Sequence, residues 1–250
     1  MTLLDALILV AVGIASGFLN VLAGGGSLIT LPVLIFMGMP SAVANGTNRL
    51  GIFMQNVFAV RGFKSKGVRV FPFAWWVAIS ACAGALLGAL IAVDISDKAF
   101  NRILAIIMIG VMLVTVLKPK MATADGLEVF SRKRNALSIT LFFFIGIYGG
   151  FIQAGIGFLK IAALTLVHGL AMAKVNSIKV FVALCYTIIA LVVFIYMDLI
   201  WWQYGLMLAV GNAIGGWFTS RWSVGMPDKY VRAFLLVTVT ALAVKLWFFG

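Results

Sequence analysis

Apolar residues run along this chain in long continuous stretches, and polar positions interrupt them at only a few points. Between Asp5 and Arg49 lie 43 residues without a charge. As one helix they would extend roughly 65 Å, about twice a bilayer core. This stretch must therefore cross and turn back, or break inside the membrane. Other uncharged runs, at 71–93, 103–117, 135–159, 180–197 and 199–220, have the size of single spans. The pattern predicts an all-α polytopic membrane protein. A β-barrel would need alternation along each segment, which is absent.

The chain also repeats itself. Shifted by 131 residues, Gly24 falls on Gly155, Gly26 on Gly157, Leu28 on Leu159, Gly38 on Gly169 and Ala42 on Ala173. Asn45 then meets Asn176, Gly84 meets Gly215, and Asp97-Lys98 meets Asp228-Lys229. Such self-similarity is the sequence form of an internally repeated transporter. Five segments are expected per half: 3–23, 27–38, 41–62, 71–93 and 100–117, then 136–154, 158–169, 172–196, 200–220 and 231–249. The units are an N-terminal repeat at 1–118, a cytoplasmic linker at 119–134 and a C-terminal repeat at 135–250.

Composition sharpens this reading. Hydrophobic residues make up 64% of the chain and charged ones 10%, far from a soluble domain. The net charge of +12 is assigned to topology and not to nucleic acid. Twelve basic residues fall in three groups: Arg61, Lys64, Lys66 and Arg69; Lys118, Lys120, Arg132, Lys133 and Arg134; Arg221, Lys229 and Arg232. All are placed on the cytoplasmic side. The basic loop at 61–69 corresponds to 192–200, which has no Lys or Arg, so matching loops face opposite sides. That requires an odd number of crossings per half, hence inverted repeats. The second segment of each half is short. Were it re-entrant, the count would fall to four and the repeats would be parallel, placing Arg221, Lys229 and Arg232 outside. The N-terminus lacks the basic region of a cleavable signal. Cys82 and Cys185 do not coincide under the shift and read as small apolar fillers.

Candidate chemistry gathers where the repeats coincide. Gly24-Gly25-Gly26-Ser27 and Gly155-Ile156-Gly157 precede the short segments and read as helix breaks. The bland alternative is close helix packing. Freed helix N-termini present N–H groups and a positive dipole end, which suit an anion. Asn45-Gly46-Thr47-Asn48-Arg49, with Gln55-Asn56 downstream, is echoed by Asn176-Ser177-Ile178-Lys179. Polar residues this dense in apolar spans face cavities. Arg49 and Lys179, one position apart under the shift, can clamp one anion, the Arg by its planar fork and the Lys as a point charge. Snorkelling to an interface is the alternative. Gln153, Lys160, Tyr186 and Asn20 rank second. His168, the single histidine, reads as a satisfied or interfacial side chain and not a proton relay.

Absences count too. All seven acidic residues lie at segment ends or in the linker, so no mid-span carboxylate can carry protons or bind a cation. No nucleotide-binding loop, metal-ligand spacing or nucleophile–base pair is present, so no cofactor and no enzymatic activity are expected.

The stretch 17–27 (GFLNVLAGGGS), with Leu31-Pro32, Gly38-Met39-Pro40 and Ala44-Asn45-Gly46-Thr47-Asn48-Arg49, resembles the TauE/SafE sulfite-exporter family, of the toluene sulfonate uptake permease group. The second-half echo, 149–179, fits as well. Gln153, Ile156 and Lys160 depart from that family's usual glycine pattern. The resemblance implies a multi-pass permease of the bacterial inner membrane moving sulfite, sulfonates or sulfoacetate. A passive anion channel and an exporter of a carboxylate are the alternatives. The expected partners are the lipid bilayer, a small anion and, as an open option, a second copy of the chain.

Overall fold

The computed structural model describes residues 1–22, 24–65, 72–117 and 128–222. Among them the chain is all-helical: α1 (Leu3–Leu22), α2 (Ser27–Phe36), α3 (Ser41–Ser65), α4 (Phe73–Val93), α5 (Asp97–Leu117), α6 (Arg132–Phe151), α7 (Ile156–His168), α8 (Met172–Tyr196) and α9 (Trp202–Trp222). Four of these, α1, α4, α6 and α8, are long and apolar enough to cross a membrane by length and composition. The segment expected at 231–249 lies outside the described residues, as do Lys66, Arg69, Lys118, Lys120, Lys229, Arg232 and most of the linker. α6 begins at Arg132, so Arg132, Lys133 and Arg134, expected in the linker, form its first turn. Ser131 caps it, accepting from the Arg134 backbone N–H.

The 131-residue periodicity reappears in the elements. α3 and α8 coincide at both ends under the shift, since 41 + 131 is 172 and 65 + 131 is 196. α2 and α7 stop at the same signal, with Gly38 and Gly169 at φ of 90° and 65°, where only glycine is free of strain. Between the halves the packing is crosswise. α4 lies on α6, α1 lies on α9, and α3 and α8 meet at the centre. Glycine faces let these backbones approach. A Cβ at Gly84 would strike the Phe143 carbonyl and one at Gly88 the Ile147 carbonyl; Gly13 and Gly17 stand likewise against Leu208 and Asn212.

These contacts also fix direction. Along α1 and α9, as along α4 and α6, the touching residues advance together. Along α3 and α8 they run oppositely: Gly46 faces Phe194, while Ala59 and Phe63 pack with Val180. α3 and α8, which coincide under the 131-residue shift, are therefore antiparallel, the arrangement an inverted repeat requires. α2 spans about 15 Å at ten residues, half a bilayer core. It starts beside Asn48, about two turns into α3, and returns along α1, with Leu34 and Met39 packed near Leu9. α1 and α2 thus form a hairpin that returns to its starting end. A hairpin that returns to its starting end leaves the parity of its half unchanged, so an inverted arrangement does not require α2 to cross the membrane.

Charge is sorted by end apart from Glu128, which pairs with Lys174 at 2.7 Å at the basic end. Arg61, Lys64, Arg132, Lys133, Arg134, Lys174 and Arg221 share the end formed by the C-termini of α3 and α9 and the N-termini of α6 and α8. Asp5, Asp94, Asp97 and Asp198 occupy the other, with Lys98 and Arg102. Exposed Trp75 and Trp76 ring one end and Trp201 and Trp202 the other, as interfacial anchors do.

Candidate functional site

The two hairpin tips meet at mid-depth. Gly24, at φ 80°, lies against Gly157 so closely that a Cβ on either would overlap the other's backbone. The Gly157 N–H donates to the Gly24 carbonyl at 3.2 Å. Gly155 (φ 68°) opens α7, and Gly26 packs on the Ser16 carbonyl in α1. Gly25 accepts from the Leu28 N–H at the start of α2. The glycine motifs therefore do both things the sequence allowed: they break the helices, and they let the two breaks touch.

Around these tips the predicted polar residues divide into two sets. The first holds helix ends. Arg49 is fully buried, and its guanidinium donates to the carbonyls of Gly149 (3.1 Å), Gly150 and Phe151 (3.4 Å), the last turn of α6. It also reaches the Gln153 side-chain oxygen at 3.2 Å and Asn45 Oδ1 at 3.4 Å, and lies over the Phe194 ring. Asn45 adds a bond from its amide to Phe151 O at 2.7 Å. A helix C-terminus leaves carbonyls unpaired and carries partial negative charge, so a cation there replaces both missing bonds and a counterion. Asn48 pins α2, accepting from Thr30 at 2.6 Å and donating to Ser27 Oγ at 3.3 Å.

The second set lines a small interior cavity, bounded by Asn20, Gln55, Asn56, Gln153, Lys160, Lys179 and Tyr186, with Ile156, Val180 and Ala183. Its free volume, about 10 Å³, is the space of one water. Lys160 and Lys179 are 3% and 2% exposed. Lys160 Nζ makes only long bonds, 3.4 Å to Lys179 O and 3.3 Å to the Tyr186 hydroxyl. Lys179 Nζ donates to Val21 O at 2.7 Å, in the last turn of α1. The Asn56 amide nitrogen is buried without an acceptor. None of the described lining residues is acidic.

The structure thus does not place Arg49 and Lys179 around one cavity: Lys179 lines it, whereas Arg49 borders it only through Gln153. Asn176 is buried with its carbonyl oxygen unpartnered and is not among the lining residues. Gln153 is more central than its second rank suggested. Its backbone sits at φ 61°, a conformation that costs a non-glycine residue about 1–2 kcal/mol, while its side chain spans Arg49 and Thr187. Gln55 and Asn56 were visible as polar positions on α3, yet only the fold turns them toward Lys160. His168 bonds Ser138 Oγ (2.8 Å) and Val129 O (3.0 Å) and stacks on Phe130, a fully satisfied side chain at the basic end.

Comparison with known proteins places this architecture. Over 96% of its length the chain is 28% identical to a probable membrane transporter protein, ORF9, of Sinorhizobium sp., covering 91% of that protein. It is 25% identical over 96% of its length to a probable membrane transporter protein of Haemophilus influenzae, covering 93%. It is 26% identical over the same share to the probable membrane transporter protein YfcA of Escherichia coli K12, covering 88%. No solved structure matches the chain. A model of the sulfite exporter TauE/SafE family matches residues 9–246, and the protein is a multi-pass membrane transporter belonging to that family.

Proposed function

We propose that this transporter is a secondary carrier or facilitator that moves small sulfur-containing anions, sulfite or sulfonates such as sulfoacetate, across the bacterial inner membrane. The observation that carries the reading is the cavity shared by Lys160 and Lys179, with no acidic residue among its described lining. Buried cations are costly unless paired, so a site with two amines and a free amide donor is complementary to an anion. Lys160 is the primary contact. Of the three buried cations among the described residues, it alone has no helix terminus opposite it. Lys179 and Asn56 donate alongside it, and Tyr186 and Gln153 position them. The narrow cavity corresponds to a closed state, which must widen to admit an oxyanion.

Purified protein in liposomes tests this directly. Efflux of preloaded sulfite or sulfoacetate should be faster than from empty liposomes and should saturate with concentration. Exchange accelerated by the same anion on the far side identifies a carrier, while non-saturating conductance identifies a channel. Flux of acetate or lactate with none of sulfite would reassign the substrate to carboxylates.

A further inference from the structure

Two of the buried cations, Arg49 and Lys179, hold equivalent helix ends with very different strength. Arg49, from α3, binds the end of α6 through three carbonyls and is reinforced by Asn45, Gln153 and the Phe194 ring. Lys179, from α8, binds the end of α1 through one carbonyl, that of Val21. Only Lys179 also lines the cavity. An ammonium on a flexible stem can change partners, whereas a guanidinium fork fixed at several acceptors cannot do so cheaply.

We infer that Lys179 is shared between the transported anion and the C-terminus of α1, so that anion binding draws it from Val21 and frees the α1–α2 hairpin while the α6–α7 hairpin stays fixed. This rests on the anion reading of the cavity above. The chemistry is an exchange of acceptors. Lys179 Nζ gives up a neutral carbonyl and donates to an oxyanion held by Lys160 and Asn56, a stronger bond. The Val21 carbonyl then faces the widened cavity. The carrier thus has one moving hairpin and one anchor, despite its repeated sequence. A ligand can shift a conformation only by binding its two states unequally, and a lysine that must leave one acceptor to reach another supplies that difference. Lys179 is a positioning residue for α1 in the empty protein and a ligand contact in the loaded one.

Hydrogen exchange on the full chain in nanodiscs, read at residues 19–22 and at 148–153, tests the inference. Without anion, Lys179→Met should speed exchange at 19–22 by about tenfold or more, the population factor of one charge-assisted hydrogen bond, and leave 148–153 unchanged. Lys179→Arg, which can still reach the Val21 carbonyl, should restore slow exchange. Sulfite added to the wild type should reproduce the Met effect at 19–22. Equal exchange in wild type and Lys179→Met, or acceleration of both hairpins together, would overturn the inference. So would sulfite that raises the melting temperature without altering exchange at 19–22. Sulfite that fails to bind, with the Lys179→Met effect intact, would instead overturn the substrate reading, and the inferred exchange of partners with it, while leaving the latch on α1 established.

Discussion

Arg49 and Lys179 each close the end of a helix in the opposite half of the chain: Arg49 bonds the final carbonyls of α6, and Lys179 bonds Val21 at the end of α1. Each half thereby fastens the other's hairpin. The pairing explains how two cations stay buried without carboxylates, because the helix ends supply the negative partners.

Arg49→Ala should be strongly destabilising. It strands buried carbonyls that have no route to water, at about 1–3 kcal/mol for each acceptor left unpaired. Thermal unfolding in detergent should show a large fall in Tm. Arg49→Lys should recover only part, since one ammonium cannot span Gly149, Gly150 and Gln153. A variant that unfolds like the wild type would mean that α6 does not depend on this cap.

Lys160→Met should behave in the opposite way. Its bonds are long, and replacing a buried cation with an apolar side chain of similar shape is often neutral or stabilising. Stability should hold or rise, while anion affinity falls by about tenfold to a hundredfold, the scale of one charge-assisted bond. Titration calorimetry with sulfite beside a melting curve separates the two effects. Unchanged affinity would remove Lys160 from the site.

Much of this was legible in the chain. The apolar runs located α3, α4, α8 and α9 to within a few residues, and the 131-residue echo located both helix breaks. The partners of Arg49 were not legible. Besides Gln153 and Asn45 they are main-chain carbonyls of Gly149, Gly150 and Phe151, and a backbone acceptor leaves no mark on side-chain identity. From sequence, a buried Arg opposite a helix end looks the same as an Arg awaiting an anion. The asymmetry was equally hidden. Lys160 aligns with Ile29, so comparing repeats lowers the rank of the very cation that symmetry does not share.

Glycine substitutions should separate touching backbones from idle ones. Gly157→Ala places a methyl in the backbone of Gly24, and Gly88→Ala places one in the carbonyl of Ile147. Neither rigid neighbour can yield, so both variants should express poorly or melt early. Gly110 in α5 has nothing near its missing Cβ, and Gly110→Ala should be neutral or stabilise the helix by about 0.5–1 kcal/mol. Size-exclusion profiles and melting temperatures decide it. A well-folded Gly157→Ala would mean that the hairpin tips are not in contact.

The two ends of the bundle should lie on opposite sides of the membrane. α3 ends at Ser65 beside Arg61 and Lys64, and α8 ends at Tyr196 beside Asp198. The antiparallel contact of these helices puts the two residues at opposite ends of the bundle, and both are exposed. Lys and Arg are retained on the cytoplasmic side, so the Ser65 end, which also carries Arg132, Lys133, Arg134 and Arg221, should face inward. Ser65→Cys and Tyr196→Cys, each in a background with Cys82 and Cys185 replaced by Ala, isolate one thiol apiece. An impermeant maleimide should label Tyr196→Cys in intact cells and Ser65→Cys only after the membrane is opened. Labelling of both from one side would contradict inverted repeats, and labelling of Ser65→Cys alone in intact cells would reverse the orientation.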